Sequence, residues 1–264
     1  MAGTQTPTTD LHRAVAESNR RTLVFLTSIV AGFVVLGVVV GLVVGALVIG
    51  LVVGLLVGLA IALFAYLRSD RVALARSGAV VASIERYPRY HNLVEGLCVA
   101  AGLPKPDLYV IDTPARNAFA TGRNPRHASV AVTTGLLDEL NRIELEGVLA
   151  CELAHVKNHD TVLRTVAVVP SMLLGRLASS IVSGPTRREQ DLLADASAVQ
   201  ITRYPPGLCS ALQKVDGNAV VRGASRATAP LWLESPLPRD GATDHASRDG
   251  GPTLEERIRI LEEM

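Results

Sequence analysis

Residues 151–155 read Cys-Glu-Leu-Ala-His, a spacing that puts two candidate metal ligands, Cys151 and His155, on one face of a helix. In the hydrolase motif His-Glu-x-x-His, two imidazoles hold one zinc, and the carboxylate beside the first acts as general base on the metal-bound water. Here Cys151 stands in the first ligand position, Glu152 in the general-base position and His155 in the second ligand position. Thiolate is a zinc ligand too, so the pattern points to a zinc site with a weaker Lewis acid than an all-imidazole one. His159 offers a second pair with His155, but positions 151 and 159 lie about 12 Å apart along a helix and cannot share an ion. Only the pair 151/155 has a Glu directly after its leading member, which leaves His159 as a solvent-facing neighbour.

A third ligand comes from downstream, where residues 188–196 read Arg-Glu-Gln-Asp-Leu-Leu-Ala-Asp-Ala. Asp191 and Asp195 are one helical turn apart and share a face, whereas Glu189 points about 200° away from Asp191. We take Asp191 as the third ligand and Asp195 as the carboxylate that orients the imidazole of His155. On their own these residues would read as the acidic start of a solvated helix. A thiol protease built on Cys151 and His155 is a weaker alternative, because a nucleophile midway along a buried helix has no evident oxyanion hole.

Other elements must hold these residues. The chain has 264 residues, a net charge of +1 and 48% hydrophobic residues. The near-neutral charge argues against a nucleic-acid partner, and three scattered cysteines, Cys98, Cys151 and Cys209, argue against a disulfide framework. From Leu23 to Leu67 about 45 residues pass without a charge, enough for two membrane spans in a hairpin. Residues 1–21 read as a cytoplasmic tail, disordered over Met1 to Asp10, residues 22–67 as the hairpin, and residues 68–264 as the domain that carries the site. Glycines 37, 41, 45, 50, 54 and 58 allow close helix approach and are read as packing the hairpin on itself. Arginines flank both spans while the turn carries none, which puts both ends in the cytoplasm.

After the membrane, helical periodicity runs from Arg71 to Leu103 with a break around Pro88. Asp107 to Asp112 and Ala128 to Thr134 read as strands, and between them lies Asn117-Ala118-Phe119-Ala120-Thr121-Gly122. A small-residue strand beside the metal helix leaves room for an extended peptide added at a sheet edge, or is simply a hairpin strand facing a helix. Val162 to Val182, interrupted by Arg164 and Arg176, reads as a helix lying against the membrane or closing the site. Residues 222–252 read as a flexible loop or flap, with Leu231-Trp232-Leu233 a possible strand or anchor. Thr253 and Glu256 form a capping box for a last helix with a mostly solvated face.

Together these features resemble the HtpX-like membrane metalloendopeptidases, relatives of the Ste-type prenyl proteases among the gluzincins. The resemblance rests on His91-Asn-Leu-Val-Glu-Gly, Gly102-Leu-Pro-Lys-Pro, Asn117-Ala-Phe-Ala-Thr-Gly, Ala131-Val-Thr-Thr-Gly-Leu-Leu, Ala194-Asp195 and Leu254-Glu-Glu-Arg-Ile. It implies a mainly α (α+β) fold, a transmembrane helical hairpin followed by a zincin-like domain with a small β-sheet. It also implies one Zn2+ per chain, a bacterial plasma-membrane location with the catalytic domain facing the cytoplasm, and peptide or membrane-protein substrates. Against the family pattern, Cys151 replaces His, Asp191 replaces Glu, and Gly251-Pro252 replaces His-Pro. The leading expectation is a zinc endopeptidase with metal on Cys151, His155 and Asp191. Its rival is an inactive homologue that acts as a membrane-bound adaptor or regulator.

Overall fold

The computed structural model describes residues 7–174, 185–238 and 251–264. Two long helices open the chain, α1 (Pro7–Val44) and α2 (Leu47–Arg76), joined by a turn at Gly45, whose φ of 77° is left-handed. Both contain segments long and apolar enough to cross a membrane, Ala16–Val44 and Leu47–Arg76, and most of their residues are exposed outside the packed domain. The helices run past the uncharged stretch, so residues 7–21, expected as a tail, are already helical. A Cβ at Gly37 would lie 2.3 Å from the Gly50 carbonyl oxygen, and one at Gly54 would lie 2.5 Å from that of Phe33. The glycines therefore pack the hairpin on itself, as their spacing indicated.

The rest of the described chain is mainly helical around a four-stranded sheet. Strand β1 (Ala79–Val81) follows α2, and α3 (Pro88–Ala101) precedes β2 (Asp107–Ile111), β3 (Ala118–Gly122) and β4 (Ala128–Thr133). The sheet order is β1-β2-β4-β3, with β2 and β4 parallel and the other pairs antiparallel. Strand β1 has no sequence signal beyond Val80 and Val81, since an edge strand of three residues is too short for periodicity. Helices α4 (Thr134–Glu139), α5 (Arg142–Lys157), α6 (Asp160–Val166), α7 (Val168–Leu174), α8 (Pro185–Thr202), α9 (Pro205–Val215) and α10 (Leu254–Glu262) complete the fold.

Helix α5 is the centre of the domain. A capping box starts it: the Asn141 side chain accepts from the amides of Ile143 and Glu144, and Glu144 accepts from the Asn141 amide. Glu144 is buried and also bonded by Ser210 and Lys214, which anchors α5 to α9. Nearly every residue from Glu144 to Val156 is buried, so α5 is enclosed on all sides rather than on one apolar face. At Gly147 a Cβ would come within 2.9 Å of the Leu208 amide, so the glycine permits the close approach of α9.

The segment expected as one helix from 162 to 182 is instead two short helices, α6 and α7, with residues 175–184 outside the described part. His159 is half-buried with φ 60°, in the left-handed turn that separates α5 from α6, and is not the solvent-facing neighbour expected. Its carbonyl accepts a 2.7 Å hydrogen bond from Ser18 Oγ, which ties α1 to the domain. Of the expected 222–252 loop, residues 229–233 are buried against the sheet, and residues 239–250 lie outside the described part.

The helix contact gives a direct test. Gly50→Val drives side-chain atoms into the α1 backbone, where a Cβ already lies 2.2 Å from the Gly37 oxygen. We expect a loss of roughly 1–3 kcal/mol from overpacking, read as a lower thermal midpoint in detergent. Gly32→Ala, with nothing within 4 Å, should leave the midpoint unchanged.

Candidate metal centre

Helices α5 and α8 pack antiparallel, and their register pairs position 151 with 195 and position 155 with 191. All five residues singled out from the sequence, Cys151, Glu152, His155, Asp191 and Asp195, are therefore buried at one helix–helix contact. The register also corrects one expectation. Asp195 lies opposite Cys151, one turn away from His155, and the carboxylate facing His155 is Asp160 at the start of α6, with Oδ2 3.5 Å from Nδ1. Asp160 was missed because its only local signal is an acidic residue in a helix's first turn.

Cys151 and Asp195 form one half of the centre. The thiol donates to Asp195 Oδ1 at 3.3 Å and accepts from Arg257 Nη2 at 3.5 Å. Arg257, from α10, grips Asp195 through two hydrogen bonds of 2.6 and 2.7 Å and reaches the Leu233 carbonyl with Nη1. Asp195 and Arg257 are 1% and 3% exposed, so this is a fully buried bidentate pair. Burial pushes the Cys151 thiol well above its ordinary pKa, and the Asp195 carboxylate adds to that effect. A buried, protonated thiol is a poor nucleophile, which removes the support for a thiol-protease reading.

His155 and Asp191 form the other half. His155 Nε2 faces Asp191 Oδ1 at 3.7 Å, a carboxylate and an imidazole turned toward each other. The same oxygen accepts a 2.8 Å hydrogen bond from Arg164 of α6, and Asp191 Oδ2 lies 3.5 Å from Arg187 Nε. Burial alone would raise the Asp191 pKa, but the guanidiniums of Arg164 and Arg187 outweigh it and hold the carboxyl well below the usual range. Glu152 is 2% exposed, and burial pushes its pKa up to about 7 against the pull of His155, Arg257 and Arg164.

These residues do not fit a zinc ion. Among the described residues, no group of three or more His, Cys, Asp or Glu side chains is arranged to hold one. The thiol of Cys151 reaches two bonds less far than an imidazole nitrogen and ends in the Asp195–Arg257 pair. The Asp191 oxygen that a metal would share with His155 is already taken by Arg164. At an effective dielectric of about 20, a unit like charge about 4 Å away costs roughly 4 kcal/mol, and more for a divalent ion. Arg164 had shown itself in the sequence only as an interruption of an apolar run, and Arg257 as one charge on a helix read as solvated.

The expected peptide strand, Asn117 to Gly122, is buried throughout, and its residues Ala118–Gly122 form the edge strand β3. Its outer edge is engaged: Leu233 donates to the Ala118 carbonyl at 2.8 Å, and Thr165 Oγ1 accepts from the Gly122 amide at 3.0 Å. Phe119 packs on Trp232 with ring centroids 4.8 Å apart, and the Asn117 side chain donates to the Ala219 and Glu234 carbonyls. An extended peptide gains this edge only by displacing residues 231–233.

The family described as Peptidase family M48 matches residues 85–264, the whole segment that builds this centre. The chain belongs to peptidase family M48. Similar curated M48 relatives include the "Protease HtpX homolog" of Dictyoglomus turgidum, 38% identical over 237 residues that cover 76% of this chain and 77% of the relative. That of Tropheryma whipplei strain Twist is 39% identical over 239 residues, covering 77% and 81%. The homologue from Thermoanaerobacter pseudethanolicus is 34% identical over an alignment of 296 positions, gaps included, that covers 96% of this chain and 98% of its own. The M48 assignment and these names support a membrane metalloprotease, and the resemblance to HtpX-like proteins holds.

The Asp195–Arg257 pair should dominate stability here. Breaking a buried pair from one side costs about 3–5 kcal/mol, whereas replacing both partners with apolar residues is often near neutral. Arg257→Ala should therefore melt far below the natural chain, and Asp195→Leu with Arg257→Met should recover much of the loss. Equal midpoints for the single and double variants would contradict the pairing.

Proposed function

We propose that this protein is a membrane-bound M48 homologue that binds polypeptide or membrane-protein segments without hydrolysing them. The observation that carries the proposal is the occupation of Asp191: the carboxylate required as third ligand is neutralised by Arg164 and Arg187. In this reading the two arginines do electrostatically what a divalent cation would do, and the centre is a structural charge cluster. Cys151 serves as the small buried partner of Asp195, and Glu152 is a buried acid beside it.

The apolar hairpin supports a location in a bacterial plasma membrane, with two spans and the M48 domain in the cytoplasm. A partner bound in extended form would lie along Asn117, Ala118, Phe119, Ala120, Thr121 and Gly122 after residues 231–233 move aside. The hairpin and the M48 assignment support a role as an adaptor in membrane-protein quality control. The competing reading, a zinc endopeptidase with metal on Cys151, His155 and Asp191, draws on the M48 descent and on the retained Glu152.

Cleavage assays separate the two. The full chain purified in detergent, with and without added zinc, should degrade an unfolded substrate such as casein no faster than its Glu152→Gln variant. Zinc-stimulated cleavage lost in that variant would overturn the proposal and restore the peptidase reading.

A further inference from the structure

A second polar site lies away from this centre, at the domain end of α2. A cavity of ≈ 560 Å3 is lined by Arg76, Ser77, Asp112, Arg222 and Trp232, with Gly78 and Gly223 in its wall. Ser77 and Trp232 complete its wall, with Ser77 Oγ and Trp232 Nε1 themselves closed off from the space and unpartnered among the described residues. Among the described residues neither Arg76 nor Arg222 is in an ion pair, so two guanidiniums stand at the cavity with free charge. Asp112, exposed and held only by a 3.4 Å contact from Thr134 Oγ1, adds a carboxylate to the same wall. Two guanidiniums that suit a phosphate and one carboxylate that suits an ammonium thus line one space.

An apolar groove of ≈ 570 Å3 lies along the same stripe of α2, lined by Ile61, Phe64 and Val72 with Val169 and Met172 of α7. Val72 and Arg76 are one turn apart on one face, about 6 Å along the axis. The groove extends apolar surface past Leu67, where the uncharged stretch ends, and stops one turn short of the polar cavity. We propose that the polar cavity binds the headgroup of an ethanolamine phospholipid whose acyl chain lies in the groove. Its phosphate is held by Arg76 and Arg222 beside the Trp232 wall, and its ammonium faces Asp112. The apolar half of the proposal rests on α1 and α2 being a membrane hairpin. None of these residues belongs to the Cys151–Asp191 centre, so its failure leaves the metal-free reading untouched.

Trp232 is the single tryptophan of the chain, which makes its emission a reporter of this cavity. The full chain in detergent is titrated with short-chain phosphatidylethanolamine, short-chain phosphatidylglycerol and soluble phosphoethanolamine. A saturable emission change with the ethanolamine lipid is expected, weakened roughly tenfold or more when two charge-assisted contacts are removed in Arg76→Gln with Arg222→Gln. Asp112→Asn should abolish the preference for ethanolamine over glycerol headgroups. Equal affinity for phosphoethanolamine and the lipid would support the site and assign it to a soluble phosphate ester. No saturable change, or a double variant that titrates like the natural chain, would overturn the proposal; equal affinity of the natural chain for both lipids would overturn the role of Asp112. Both arginines are exposed, so the variants should keep the fold, and unchanged circular dichroism checks this.

Discussion

Two buried carboxylates on α8, one turn apart, must each find a positive partner in the core. Asp195 finds Arg257 from the last helix, and Asp191 finds Arg164 from α6 and Arg187 from its own helix. These pairs bring together α5, α6, α8 and α10, and Arg257 also holds the Leu233 carbonyl and with it the segment that covers β3. The charge balance of α8 is thus the constraint to which the helix packing, the strap over the edge strand and the geometry of the candidate centre all answer.

The same balance gives the changes from the family pattern a common physical sense. A shorter thiol at position 151 leaves Asp195 to Arg257, and a shorter carboxylate at 191 is compensated from the side by Arg164. Glu152, kept in place, is fully buried, which pushes its pKa up to about 7. A single loss of a ligand would leave buried charge unmatched. Here the matching groups are present, which is what a stable centre needs when no cation is supplied from solution.

Much of this arrangement was legible in the sequence, and what was not has identifiable causes. The hairpin followed from uncharged length, the glycine contacts from four-residue spacing, and the burial of Cys151, Glu152, His155 and Asp191 from a motif with fixed helical geometry. What local spacing cannot carry is the register between helices far apart in the chain. That register sends Asp195 to Cys151 rather than His155, and it brings into the core Arg164, which reads locally as a break in an apolar run, and Arg257, which reads as a charge on a solvated helix. The small strand β1 and the break between α6 and α7 depend on tertiary packing for the same reason. Residues 231–233 read as a possible anchor, and only the sheet order explains what they cover.

The most direct test of the central claim is zinc stoichiometry by inductively coupled plasma mass spectrometry on the full chain, incubated with excess zinc and then desalted in detergent. The natural chain should retain no more zinc than a chelator-treated control, while Cys151→His combined with Arg164→Met, which restores an imidazole and frees Asp191, should gain metal. One zinc per natural chain, lost in Cys151→Ala, would contradict the account and show that the thiol and Asp191 leave their arginine partners to bind the ion.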